Sequence, residues 1–351
     1  MSLEMPDFLS SLKNYFEMEP PLLRSAKTIQ ILLIRETHDF TAFRTEAGDE
    51  LNIVTLPKSK TDPTPTIRVA MLASKQKAVE NRVFMSILRT LANDFDIKLD
   101  KEQEECALKD ALCRKCPRCI LFGAVSVETE RGAGKKEGGS IKTEGDSTKS
   151  KQKAKKDRWN IKHRIEYSSA YSLEAYEDIA ELLTWNAVSD STQSTGQALG
   201  VTENIQPIVH FPSVITLISP TWQEFVMVMK TLMAAKSYGA ETRIKGDMVN
   251  HIIGIIAGYE EVITTLDLLL EISNIGLKED IHESLGNLIA NYRNFAAFGD
   301  KVIIKTGAEL ENLITNIQNL KIDKRFVQNM YDQASNFVEK VEKMAKKEKP
   351  Q

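Results

Sequence analysis

Four cysteines stand in ECALKDALCRKCPRCILFG, Glu105 to Gly123, and the chain has no others. Thiolates are soft ligands, and a Cys-x2-Cys step lets consecutive sulfurs face one ion. The pattern Cys106-x6-Cys113-x2-Cys116-x2-Cys119 points to a structural Zn2+ site with four protein ligands and no position for a catalytic water. An iron–sulfur cluster fits less well. The bacterial ferredoxin run has an x3 step before its final cysteine and a proline after it, whereas Pro117 here follows the third cysteine. A redox pair needs only two thiols, and a disulfide is disfavoured in a reducing compartment. The tight spacing leaves one variation open, in which a histidine such as His163 replaces a thiol.

The remaining chemistry is sparse. The sequence has no Walker loop, no Gly-x-Gly-x-x-Gly after a strand, no His-Glu-x-x-His and no Gly-x-Ser-x-Gly. Its five histidines, His38, His163, His210, His251 and His282, are scattered. The pair His38-Asp39, just after the first strand, has the residue types for metal-assisted or general acid–base cleavage of RNA; a capped loop is the simpler reading. Lys75, Arg82 and Arg89 recur every seven residues in one helix. Seven residues are almost two turns, so the three share a side, about 10 Å apart along the axis. They form either a solvated face or a cationic rail able to follow a phosphate backbone.

Several elements must position these groups. Lys27–Glu36 is rich in Ile and Leu and reads as a buried strand. Glu50–Leu56 and Thr66–Leu72 are shorter strands around the proline-punctuated PKSKTDPTPT. Ser74–Ala92 is the helix of the rail, with Val79, Val83, Ile87, Leu88 and Leu91 on its apolar face. Cys119–Glu128 reads as a strand, and NIKHRIEY and LLTWNAV as strand pieces. QPIVHFPSVITLIS is a strand pair or one bent strand, with Pro212 at a bulge or edge. Thr221-x-x-Glu224 caps a helix that runs to Gly239 with a Met and aromatic core stripe. Met248–Glu260 returns as a strand, and everything from Ile263 onward is helical in pattern. The long elements spell β-α-β-β-α-β. The expected fold is therefore α+β, a ferredoxin-like core of the kind RNA-recognition modules use, with large insertions.

Composition agrees with a globular protein: 351 residues, 42% hydrophobic and 27% charged. The N-terminus lacks a basic region followed by an apolar core, and no apolar run approaches the roughly 18 residues of a membrane span. A cytoplasmic protein is expected. The net charge of −3 conceals an asymmetry: from Arg131 to Arg164 twelve Lys and Arg stand against four acids. Thr129–Lys156 is rich in Gly, Lys and Ser without apolar periodicity, and reads as a mobile loop, either simply solvated or ordering on an acidic partner.

The segment CRKCPRCILFGA resembles the backbone subunit of type I-D CRISPR interference complexes, within the repeat-associated RNA-binding superfamily. SKQKAVENRVFMSILR, YSSAYSLEAYE, HFPSVITLISPTWQEF and YGAETRIKGDMVNHIIGI resemble their counterparts there in the same order, over residues 25–260. The resemblance implies a non-catalytic subunit of an antiviral, Cascade-like complex. Copies of it line up head to tail on a CRISPR RNA beside other subunits, and the guide pairs with target nucleic acid. It implies an RRM-like core over 20–260, a zinc-binding insertion at 100–165, a thumb-like loop at 190–207 and a helical region at 261–351. Carried over by position, the RNA-binding residues are Lys58, Lys60, Lys75, Arg82, Arg89, Tyr238, Arg243 and Lys245. An RNA-processing nuclease using His38 or Asp39, or a zinc-stabilised adaptor that binds only protein, are the alternatives.

Overall fold

The computed structural model describes residues 3–44, 48, 50–108, 111–125, 160–185, 200–240, 244–277 and 281–347. After a 3₁₀ helix at Asp7–Tyr15 come β1 (Thr28–Thr37), β2 (Ile53–Pro57), β3 (Pro65–Met71) and α1 (Ala73–Asp94). The cysteine segment carries α2 (Lys101–Glu104) and α3 (Pro117–Phe122). Then follow β4 (Ile165–Tyr167), β5 (Ala170–Tyr171), α4 (Tyr176–Ile179), β6 (Ala180–Trp185), β7 (Gly200–Ile205) and β8 (His210–Ile218). The chain continues through α5 (Trp222–Ala234), β9 (Met248–Gly258), α6 (Thr265–Ile275), α7 (Ile281–Arg293), β10 (Ile303–Lys305), α8 (Gly307–Asn319) and α9 (Lys324–Lys347).

The central sheet has the order β10-β9-β1-β8-β4, with every neighbour antiparallel. β1 is buried almost throughout, because both its faces are covered. Ile29, Ile31 and Leu33 pack with Phe84 of α1, Phe225 of α5, Leu310 of α8 and Val327 of α9. Leu32 and Ile34 point the other way, onto Leu268 of α6 and Leu285 of α7. Alternation along a strand thus feeds two helical layers. Smaller sheets, β2-β3-β5 and the hairpin β6-β7, stand beside this body. Pro212 sits in the part of β8 that β4 does not reach, where a missing N–H disrupts no ladder on that side.

Three expectations are corrected. Cys119–Phe122 is helical, within α3, and not the start of a strand. Pro117 at its first turn suits a helix start, and a fully buried apolar run has no period to separate helix from strand. Gly123, at φ 86°, then turns the chain where an added Cβ would come within 2.9 Å of the His163 nitrogen. β4 takes the place intended for that strand, so the central elements run β1-α1-β4-β8-α5-β9. The region after Ile263 is not wholly helical, since β10 pairs with β9 at the sheet edge. Finally, the buried stripe of α1 is Gln76, Val79, Glu80, Asn81, Phe84, Met85, Leu88 and Ala92. Val83, Ile87 and Leu91 are only half-buried. The helix is covered from two sides, by the sheet and by α3, α5 and α9, so its inner face turns toward Phe84 and Glu80.

The cap of α5 matches the sequence reading: Thr221 accepts from the Glu224 nitrogen at 3.2 Å, and Glu224 accepts from the Thr221 nitrogen at 2.9 Å. Glu224 also receives buried Arg164 through both carboxylate oxygens, one at 2.9 Å. Thr221→Ala is expected to cost about 1 kcal/mol, read from the denaturant midpoint. Glu224→Ala, which also strands Arg164, is expected to cost more.

Candidate metal centre and nucleic-acid interface

The cysteines come together because three short features fold the segment back on itself. Asp100 and Gln103 make a reciprocal cap at the start of α2, and Gln103 Nε2 donates to the Lys115 carbonyl at 3.1 Å. Ala107 and Ala111 bridge each other, and Arg114 takes a left-handed turn at φ 61°. Cys116 then caps α3, placing Cys119 within its first turn. All four thiols are free and buried. Cys106 Sγ lies 3.7 Å from Cys116 Sγ and 3.6 Å from Cys119 Sγ, and Cys113 Sγ lies 4.0 Å from Cys119 Sγ. A tetrahedral ion with Zn–S bonds of about 2.3 Å separates its sulfurs by about 3.8 Å, so the cluster fits zinc without rearrangement. Backbone nitrogens of Cys113 and Lys115 donate to Cys106 and Cys113 sulfurs at 3.3 Å each, outer-shell contacts that favour thiolate. Hydrogen bonds from Cys113 and then Cys116 and Cys119 drive the Cys106 thiol far below its usual range. His163 stands apart from the four sulfurs, 3.7 Å from Glu166.

The cluster does not form a separate core. Its sulfurs lie in the same apolar body as Phe84 of α1, Phe122 of α3 and Met330 of α9. Arg89 donates to the Cys106 carbonyl, tying the last member of the rail to the cysteine segment. Arg82 is exposed and Lys75 half-buried, and neither has an ion-pair partner among the described residues. Lys77, half-buried on another side of α1, is held below the usual lysine range by desolvation, partly offset by Glu166. Nothing in the seven-residue spacing marks Lys77, nor Arg24, which reaches Glu166 at 3.2 Å from a distant segment.

The other positions disperse. Lys58 and Lys60 lie on the β2–β3 turn. Lys58 faces Asp62 at 3.7 Å, while Lys60 pairs with Glu271 of α6 and stands 5.2 Å from the Tyr292 ring centre of α7. Lys245 is largely exposed and pairs with Asp247 at 2.8 Å. Arg243 lies outside the described residues, as do the loop 131–156 and positions 190–199 of the thumb-like loop. β6 and β7, which flank the undescribed stretch, pair antiparallel and expose Leu182 and Val201. The turn after α5 is close-packed: a Cβ on Gly246, at φ 63°, would lie 2.4 Å from the Gly239 backbone.

Tyr238 is 4% exposed, which leaves no face for a base. Its hydroxyl donates to Glu80 at 3.0 Å and accepts from Asn250 Nδ2 at 2.9 Å. Tyr167 donates to the other Glu80 oxygen at 2.7 Å. Arg35 of β1 meets Glu80 at 2.8 Å, with both side chains fully buried. Burial and then the Glu80 charge push the Tyr167 hydroxyl far above its ordinary range, so it donates at any ordinary pH. This network ties α1 to β1, β4 and β9. Hydrophobic periodicity cannot reveal it, because its members are polar.

A family model described as Csc2 Crispr matches residues 11–349, nearly the whole chain. The chain belongs to the Csc2 CRISPR family. Membership makes it a component of a CRISPR-associated, Cascade-type complex and places it in a structural subunit family. The crystal structure of Thermofilum pendens Csc2 superposes with a TM-score of 0.64 at 18% identity, covering 98% of this chain and 99% of that one. The fold is therefore shared end to end, C-terminal helices included. None of the curated proteins compared matches the chain. Among the described residues, no helix is long and apolar enough to cross a membrane.

Proposed function

We propose that this protein is the CRISPR RNA-binding backbone subunit of a type I-D interference complex. It grips the sugar–phosphate backbone without reading sequence and has no catalytic role. The family match over residues 11–349 carries this reading. The run β1-α1-β4-β8-α5-β9, with β4 and β9 at opposite sides of the β1–β8 pair, supports a ferredoxin-like, RRM-like core over 20–260. In this reading 100–165 is a zinc-braced insertion, 190–207 a thumb on the β6–β7 stalk, and 261–351 a helical region closing the core. Copies of the chain bind one guide head to tail, with other subunits at their side, and the guide pairs with the target.

Lys75, Arg82, Lys58 and Lys245 reach phosphate directly, with Arg243. Arg89, Lys60 and Tyr238 act through the framework, since each is held by the Cys106 carbonyl, Glu271 or Glu80. Zn2+ sits on Cys106, Cys113, Cys116 and Cys119 and fixes the segment that Arg89 leans on. Asp39 accepts from the Phe40 nitrogen at 2.8 Å, capping its own turn, which supports a loop role over a nuclease one.

Fluorescence anisotropy with labelled single-stranded RNAs of unrelated sequence, titrated across salt, tests the reading. Similar affinities that fall steeply with salt are expected. Arg82→Ala is expected to weaken all sequences alike and to reduce the salt slope by about 0.7, the share of one phosphate contact on a single strand. Absence of binding at low salt would reject RNA binding by the isolated subunit, and indifference to Arg82→Ala would reject the rail.

A further inference from the structure

Three of the five histidines converge at one end of the central sheet, where nothing in their spacing along the chain anticipates it. Glu36 and Ile34 share a face of β1. Ile34 pairs with His251 of β9, and Glu36 pairs with His210 of β8. Cross-strand partners project to the same side. His38 follows β1 directly, its nitrogen bound to the Asp247 carbonyl at 2.7 Å. The cluster therefore continues the apolar stripe of Leu32, Ile34 and Ile253, beyond the point where α6 and α7 cover it.

From these positions we infer a second metal site, formed by Glu36, His38 and His251, for a borderline divalent cation of the zinc and cobalt class. One oxygen of Glu36 and one ring nitrogen from each histidine lie within 4.8 Å of one another. Glu36 Oε1 stands 2.8 Å from His38 Nε2, and Glu36 Oε2 stands 3.8 Å from His251 Nε2. Ligand atoms around a tetrahedral ion with bonds of about 2.1 Å sit about 3.4 Å apart, inside the 4.8 Å within which these three ligand atoms lie. Two imidazoles and a carboxylate suit such ions and not Mg2+ or Ca2+, which take oxygen. Three protein ligands leave a coordination position, and the half-exposed rings of His38 and His251 open it to solvent.

An outer shell is also present. His210 Nε2 lies 3.2 Å from Glu36, while its Nδ1 lies 2.7 Å from Glu174. Glu174 in turn accepts from the His210 backbone nitrogen at 3.0 Å. This carboxylate–imidazole–carboxylate chain orients Glu36 as outer-shell partners orient ligands at metal sites. His210 is a positioning residue, because carboxylates already hold both its ring nitrogens. The site is remote in chemistry from the cysteine cluster, and the two are separable by spectrum.

The test uses the full chain carrying one equivalent of zinc, titrated with Co2+ alone. A second equivalent with d–d absorption and no thiolate charge-transfer band is expected. His38→Ala and His251→Ala should each weaken it at least tenfold, and His210→Asn by a smaller factor, while zinc stays at one per chain. Both ligand histidines are partly exposed, and retained zinc reports that the variants fold. No second equivalent up to millimolar Co2+, uptake only with thiolate bands, or uptake undiminished in both ligand variants would overturn the site.

Discussion

Cys116→Ser is expected to purify without its metal and to lose about 4 kcal/mol of stability. That figure is the linkage value for an ion held near a thousandfold above its dissociation constant. Cys116 is wholly buried, as are Cys106 and Cys119. Sulfurs 3.6–4.0 Å apart in an apolar body cannot carry several negative charges without a cation among them. Without the ion, α2 and α3 lose the centre that joins them, and α1 and α9 lose a surface to pack on. Elemental analysis gives the stoichiometry, and chelator titration followed by chemical denaturation gives the energy. Wild-type protein that purifies without metal, and whose midpoint ignores chelator, would sink the zinc reading.

Glu80→Ala should cost about 3–5 kcal/mol, the range for stranding one member of a buried ion pair. Arg35 and Glu80 are 0% and 1% exposed at 2.8 Å, and Arg35 Nη1 donates to Asn250 at 2.8 Å as well. Removing the carboxylate leaves a buried guanidinium without its counter-ion and the Tyr167 and Tyr238 hydroxyls without their acceptor. Arg35→Met with Glu80→Leu should recover much of the loss, because the pair repays its own desolvation only in part. Zinc content should stay unchanged in every variant of this series. A cost below about 1 kcal/mol for Glu80→Ala would show that the network does not hold α1.

Much of this architecture is legible in residue order. β1, α1, β8, α5 and β9 follow from apolar runs, the Thr221–Glu224 cap and the turns between them, since local periodicity and caps are properties of neighbouring residues. The cysteine cluster is legible too, because its ligands lie close along the chain. α3 and β10 are not legible: the first is a fully buried run without a period, and the second is a three-residue strand recruited by the edge of β9. Family resemblance drawn from short motifs reached only residues 25–260, whereas the shared fold extends to α9.

The sequence alone determined which residues carry soft-ligand chemistry and that Lys75, Arg82 and Arg89 share one side of a helix. Only the tertiary structure decided which of the candidate RNA-binding side chains are held by the framework. Lys60 is claimed by Glu271, Arg89 by the Cys106 carbonyl and Tyr238 by Glu80. It also brought Glu36, His210 and His251 to one place, with His38 just past the end of β1, from three strands that are neighbours in the sheet but far apart along the chain. Pairing across a sheet is a long-range choice made by whole buried faces, so it leaves no mark in the spacing of the polar residues it brings together.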